Sequence, residues 1–134
     1  MTVLCNLGIT AAVTASVQTA VTGQVPRQAL TLQAAFTYVA SAATSVDAYV
    51  QSSINGGVTW FDVAEFNFTT ASATKYQNVN ADTAVNATTA LTDGTMTANT
   101  SINGFLGDQL RVKITSVGTY GAGTQLRIDA FGRG

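Results

Sequence analysis

Histidine is absent from the 134 residues, cysteine and proline occur once each, and only six basic and seven acidic side chains carry a charge. Each scarcity closes a class of chemistry. Without imidazole, no Ser-His or Cys-His catalytic pair and no histidine metal ligand can be built. Cys5 alone excludes an internal disulfide and a multi-thiolate zinc site, and reads as a free, inert thiol. An ordinary domain gives about 25% of its residues to Asp, Glu, Lys and Arg. This chain gives 10%, with a formal charge of −1 and the two signs interspersed. No polybasic stripe exists to neutralise phosphates, so nucleic acid is not an expected partner. A surface so short of charge suits a protein covered by neighbours in an assembly, or one that hydroxyls and amides alone keep in solution.

The N-terminal Val3-Leu4-Cys5 and the Ala/Val/Thr-rich stretch after it have no basic region ahead of them, the first positive side chain being Arg27. Thr10, Thr14, Ser16, Gln18 and Thr19 interrupt the apolar run. Neither a secretory signal peptide nor a membrane span fits, and the expectation is a soluble protein made in the cytoplasm.

What the chain has in quantity is period-two patterning in β-branched and aromatic residues, bounded by Gly, Asn and Asp. Leu30, Leu32, Ala34, Phe36 and Tyr38 alternate with polar or small residues, as do Val46, Ala48, Val50 and Ile54 with one polar exception at Ser52. Thr10 to Thr22 reads as a further strand, although its alanines leave helix open on propensity. Pro26 falls in a connector. Leu110, Val112 and Ile114 alternate with Arg111 and Lys113, and Leu126, Ile128 and Ala130 with Arg127, Asp129 and Phe131. With Gly118, Gly121 and Gly123 between them, these two runs read as a closing hairpin that sets Arg111 opposite Asp129. From Ala71 to Ser101 the chain turns polar and repetitive in Thr, Asn and Ala, as short strands or a long surface excursion. The expected fold is all-β, a single antiparallel β-sandwich or jelly-roll domain over residues 1–134 with that excursion.

Ser53-Ile54-Asn55-Gly56-Gly57-Val58-Thr59-Trp60 resembles the Asp-box pattern S-x-D-x-G-x-T-W of sialidase propellers and many other β proteins. The resemblance implies a hairpin device in which Asn55, in place of Asp, bonds backbone N–H groups, Gly57 takes the left-handed conformation and Trp60 covers the turn. It implies no catalysis. A propeller needs several such blades, and the chain carries one copy. Phe61, Val63, Phe66 and Phe68 form the second arm, with a phase shift that points to a bulge or to burial on both faces.

Other candidates carry less. Asp62 and Glu65 could be offered as a glycosidase pair, but odd spacing on a strand sends them to opposite faces. Ser72-Ala73-Thr74-Lys75 matches S-x-x-K without its partner motifs. Asn78, Asn80 and Asp82 start like a calcium loop that lacks its Gly and Glu, and the sequons at Asn67, Asn86 and Asn99 mean little without secretion. No metal or cofactor is expected. Arg111, Lys113, Arg127 and Arg133 gather in the closing hairpin, either as a subunit interface or as a charged edge against misassociation.

Val46 to Phe68 and Phe105 to Gly134, with their GG-x-TW turn and "LRVKITSVGTYGAGTQLRIDAFGRG" ending, resemble small virion proteins of tailed bacteriophages. The resemblance implies a capsid decoration (cement) protein, or another small head, neck or tail component. Its partners would be the major capsid protein or other virion subunits, with a homo-oligomer, a trimer foremost, binding the head lattice by adhesion. The alternative is a carbohydrate- or peptide-binding β module, in which Trp60, Tyr38, Tyr49, Tyr76 or Tyr120 offers a stacking surface.

Overall fold

A computed structural model describes residues 1–22 and 28–133; Pro26 and Arg27 lie outside the described residues. The elements are eight strands: β1 (Thr2–Gly8), β2 (Val13–Val17), β3 (Ala29–Thr37), β4 (Ala43–Ser53), β5 (Phe61–Phe68), β6 (Ala73–Asn80), β7 (Gln109–Gly118) and β8 (Gln125–Arg133). They form two four-stranded antiparallel sheets, ordered β1-β8-β3-β6 and β2-β7-β4-β5. β1 lies beside β8, β2 beside β7, β3 beside β6 and β4 beside β5, so the chain is one long hairpin rolled around a common core. That order is a jelly roll, one of the two architectures the alternation predicts.

Alternation does the folding. Leu30, Leu32, Ala34 and Phe36 of β3 and Leu126, Ile128 and Ala130 of β8 point inward from one sheet. Val46, Ala48 and Val50 of β4 and Leu110, Val112 and Ile114 of β7 meet them from the other. Each large aliphatic side chain buried here stabilises by about 1.5–3 kcal/mol, before the entropy of ordering the chain is subtracted. Phe36 stacks on Phe68 at 4.9 Å and meets the edge of Tyr120 at 5.8 Å, closing one end of the core. The strand expected between Thr10 and Thr22 is β2, with Val21 making a further bridge to Leu110.

The closing hairpin does not form. β7 and β8 belong to different sheets, and the segment between them crosses the end of the sandwich. Tyr120 is buried there, its N–H donating to Thr10 O and its hydroxyl to Thr69 O, while the Gly121 N–H donates to Val39 O. Alternation reports which face of a strand is buried but not which neighbour it pairs with, and the glycine-rich link was equally compatible with a crossing. Arg111 and Asp129 therefore never face one another.

The polar stretch is both things at once. Ala73–Asn80 is β6, paired along its length with β3. Residues 81–108 then run without regular strands, and residues 92–102 form a strap along β5. Asp62 N–H donates to Thr92 O, Glu65 N–H to Thr100 O and Ile102 N–H to Val63 O. Ser101 Oγ donates to Asn78 O and Gly104 N–H to Asn80 O, which ties the same segment to β6. The strap thus seals the seam between two sheet edges that would otherwise present unpaired backbone groups.

Candidate functional site

The β4–β5 turn has the Asp-box geometry. Asn55 Oδ1 accepts the Thr59 N–H at 2.9 Å, Ser53 Oγ accepts the Gly57 N–H at 2.9 Å, and the Trp60 indole N–H donates to Gly57 O at 3.0 Å. Gly57 holds φ at +86°, which a side chain would strain. Arg111 lies over the Trp60 ring at 4.3 Å. Trp60 is the lid of its own turn and is itself capped by a guanidinium.

The cationic residues do not make one patch. Arg111 and Lys113 sit on β7 in one sheet, whereas Arg127 and Arg133 sit on β8 in the other. Arg111 donates to Gln51 Oε1, Lys113 pairs with Asp93 at 2.8 Å, Arg127 pairs with Asp129 at 3.0 Å and Arg133 donates to Thr31. β7 and β8 are both inner strands, so these side chains do not guard a sheet edge.

Asp62 and Glu65 share a face, against the expectation from their spacing. Val50 pairs with Ala64 and Gln51 with Asp62, which leaves Val63 as a bulge and reverses the phase of β5. The phase shift read in the sequence is this bulge, and burial on both faces accompanies it because the strap covers the outer side. Asp62 is a hub: its carboxylate accepts from Gln51 Nε2 at 2.8 Å, Thr92 Oγ1 at 2.7 Å, Gly94 N at 2.8 Å and Thr95 N at 3.2 Å. Asp93 accepts from Lys113 and Gln51, bonds that hold its carboxyl below the usual range.

Glu65 is fully buried, at 0% exposure. One of its oxygens accepts the Asn99 N–H, and the other is the one buried side-chain polar atom without a partner among the described residues. Burial pushes this carboxyl up to about 8; the Asn99 amide and Lys75 pull the other way, and the neighbouring Asp47 carboxyl adds to the rise. Lys75 itself donates to Asn67 O and Asn99 Oδ1 and lies over Phe68, while Ser72 accepts the Tyr38 N–H, so the S-x-x-K match has no common site. Asn78 accepts from Thr31 and Asn80 from the Asp82 N–H. Among the described residues no group of three or more His, Cys, Asp or Glu converges as a metal site, and no helix is long and apolar enough to cross a membrane.

The opposite face of the molecule is bare. Outward positions of the β1-β8-β3-β6 sheet carry Val3, Asp129, Gln33 and Tyr76 in one cross-strand row, and Phe131, Thr31 and Asn78 in the next. Tyr76 is 65% exposed, Phe131 55% and Val3 40%. Tyr76 and Phe131 border a shallow groove of about 330 Å³ together with Met1, Thr31, Gln33 and Asp129. Of the aromatic residues proposed as a stacking surface, Tyr76 alone stands free here, Tyr49 being half-buried opposite Glu65 on the other sheet. Tyr120 is core, Tyr38 packs edge-on against it at 5.9 Å, and Trp60 is capped. Sequence reading passed over Phe131 as a face marker, although it occupies the polar phase of β8 beside Arg127 and Asp129.

Searches against family models, curated proteins and solved structures found no match to this chain.

Proposed function

We propose that this chain is a structural virion protein of a tailed bacteriophage, one that decorates the head and strengthens its lattice by adhesion. The observation that carries the reading is the asymmetry of the two outer sheet faces. One is covered by the polar strap, and the other is bare, with Arg127 and Asp129 on it paired to each other. Strands about 4.8 Å apart with a rise of about 3.3 Å per residue give such a face about 19 by 30 Å, the scale of an ordinary interface. Its exposed residues, Met1, Tyr76 and Phe131, are of the types enriched where proteins meet. Weak contacts of this size hold firmly when repeated in a symmetric oligomer over many lattice sites. Jelly rolls serve both capsids and lectins, so the fold permits this reading without selecting it.

Tyr76 beside Gln33 and Asp129 also favours a second reading, a carbohydrate-binding module, since an exposed ring flanked by polar groups is the chemistry a sugar meets. Co-sedimentation with undecorated phage heads separates the two. Saturable binding at a fixed ratio to the major capsid protein, lost in the Tyr76→Lys, Phe131→Lys double variant, is the expected result. Absence of head binding together with retention on a glycan column would replace the first reading by the second.

A further inference from the structure

The strap is held by two carboxylates of unlike character. Asp62 accepts hydrogen bonds from Gln51, Thr92, Gly94 and Thr95. Glu65, three residues on and brought to the same face by the Val63 bulge, is enclosed with one oxygen unpartnered. A bare carboxylate in that position would leave a buried charge half satisfied, whereas a protonated one carries no charge and turns a hydroxyl donor to the neighbouring Asp47 carboxyl. The groups around it decide against ionisation. Asp47 and Tyr49 face it from β4, with Asp47 accepting from Asn67, and Asp62 stands on its own strand. Among the described residues Lys75 of β6 is the one cation near it, and its ammonium bonds Asn67 O and Asn99 Oδ1. The strap brings only the Asn99 N–H and uncharged side chains, since Asp93 is paired with Lys113 on β7.

We propose that Glu65 is a proton-operated latch, closing the 92–102 strap over β5 while it carries a proton and loosening it when the proton leaves. A closed strap binds a proton that an opened one releases, because Glu65 in water returns to the ordinary carboxylate range near 4.5 while burial holds it at about 8 when closed. Opening is therefore favoured progressively as pH rises through that interval and levels off above it. What opening uncovers is backbone of β5 that the strap now pairs, at Asp62, Val63 and Glu65. The seam is therefore held most firmly in acid and least firmly above about pH 8. This inference is independent of what the bare face binds.

Hydrogen exchange on the whole chain tests it, with protection factors at the Asn99 and Ile102 amides followed from pH 5 to 9 in the wild type and in Glu65→Gln. One linked proton makes wild-type protection fall about tenfold per pH unit up to about pH 8 and then flatten, while E65Q stays level. The Glu65 side-chain carbon in the wild type should titrate near pH 8, and Asp47→Asn should lower that midpoint. These two measurements stand even if E65Q fails to fold. Wild-type protection that is constant across the range, a Glu65 midpoint near 4.5, or a midpoint that Asp47→Asn leaves unmoved would overturn the latch.

Discussion

Replacing Asp62 with alanine removes the anchor of the strap, and its effect can be sized from the bonds it makes. The carboxylate accepts from Gln51, Thr92, Gly94 and Thr95 at 2.7 to 3.2 Å. Hydrogen bonds to a charged group contribute about 1.5–3 kcal/mol each when measured singly. They do not add here, because the Thr92, Gly94 and Thr95 donors regain water once the strap lifts. The amide of Gln51, at 0% exposure, has fewer alternatives, although it keeps Asp93. A net loss of about 3 kcal/mol follows, within the range for breaking a buried polar network. For a chain of this length that corresponds to a fall in Tm of about 12 °C. Urea denaturation at pH 7 reads the free energy, and thermolysin cleavage near Leu91 and Met96 reads the strap. A change under about 0.5 kcal/mol with the strap still resistant would refute the reasoning, because it would mean that these bonds merely replace equally good ones to water.

Other perturbations have distinct signatures. Gly107 has no room for a Cβ against the Ser53 carbonyl, so Gly107→Ala should lower stability by more than about 3 kcal/mol in the same urea assay. Asn55→Ala should cost about 1 kcal/mol by unpairing the Thr59 N–H, whereas Asn55→Asp, which keeps the acceptor, should be near neutral. Burial raises the Cys5 thiol from 9.0 to about 11. Alkylation at pH 8 should accordingly run about a hundredfold slower in the folded protein than in urea. The same shift places a loss of stability between pH 9 and 11, read by urea titration in that window, since the unfolded chain gives up this proton first.

Much of the fold could be read directly, because strand alternation is a local signal and the core is built from it. Val46, Ala48 and Val50, or Leu126, Ile128 and Ala130, fall inward as their spacing requires. The Asp-box turn is likewise local, all its bonds lying between Ser53 and Trp60. What was not legible is non-local. Whether β7 pairs with β8 or with β4 depends on where the chain ends meet, and Gly118, Gly121 and Gly123 permit either route. The single-residue bulge at Val63 inverted the parity on which Asp62 and Glu65 were separated; the phase shift among Phe61, Val63, Phe66 and Phe68 signals a bulge or two-sided burial without fixing its position relative to the two carboxylates. The strap has no periodicity at all, being held by side-chain carboxylates and irregular backbone bonds 30 or more residues distant in sequence. Phe131 was visible as an aromatic in the polar phase of its run, a signal that marks an outward face once the pairing is known, whereas Tyr76 lay in the polar stretch from Ala71 to Ser101 that was given no strand phase.

Cryo-electron microscopy of heads mixed with this protein tests the adhesive account most directly. The account predicts added density at regular lattice positions, with the β1-β8-β3-β6 sheet turned toward the capsid and Tyr76 and Phe131 in the contact. Heads that stay undecorated at saturating protein, or density seated on the strap side with that sheet facing solvent, would contradict it.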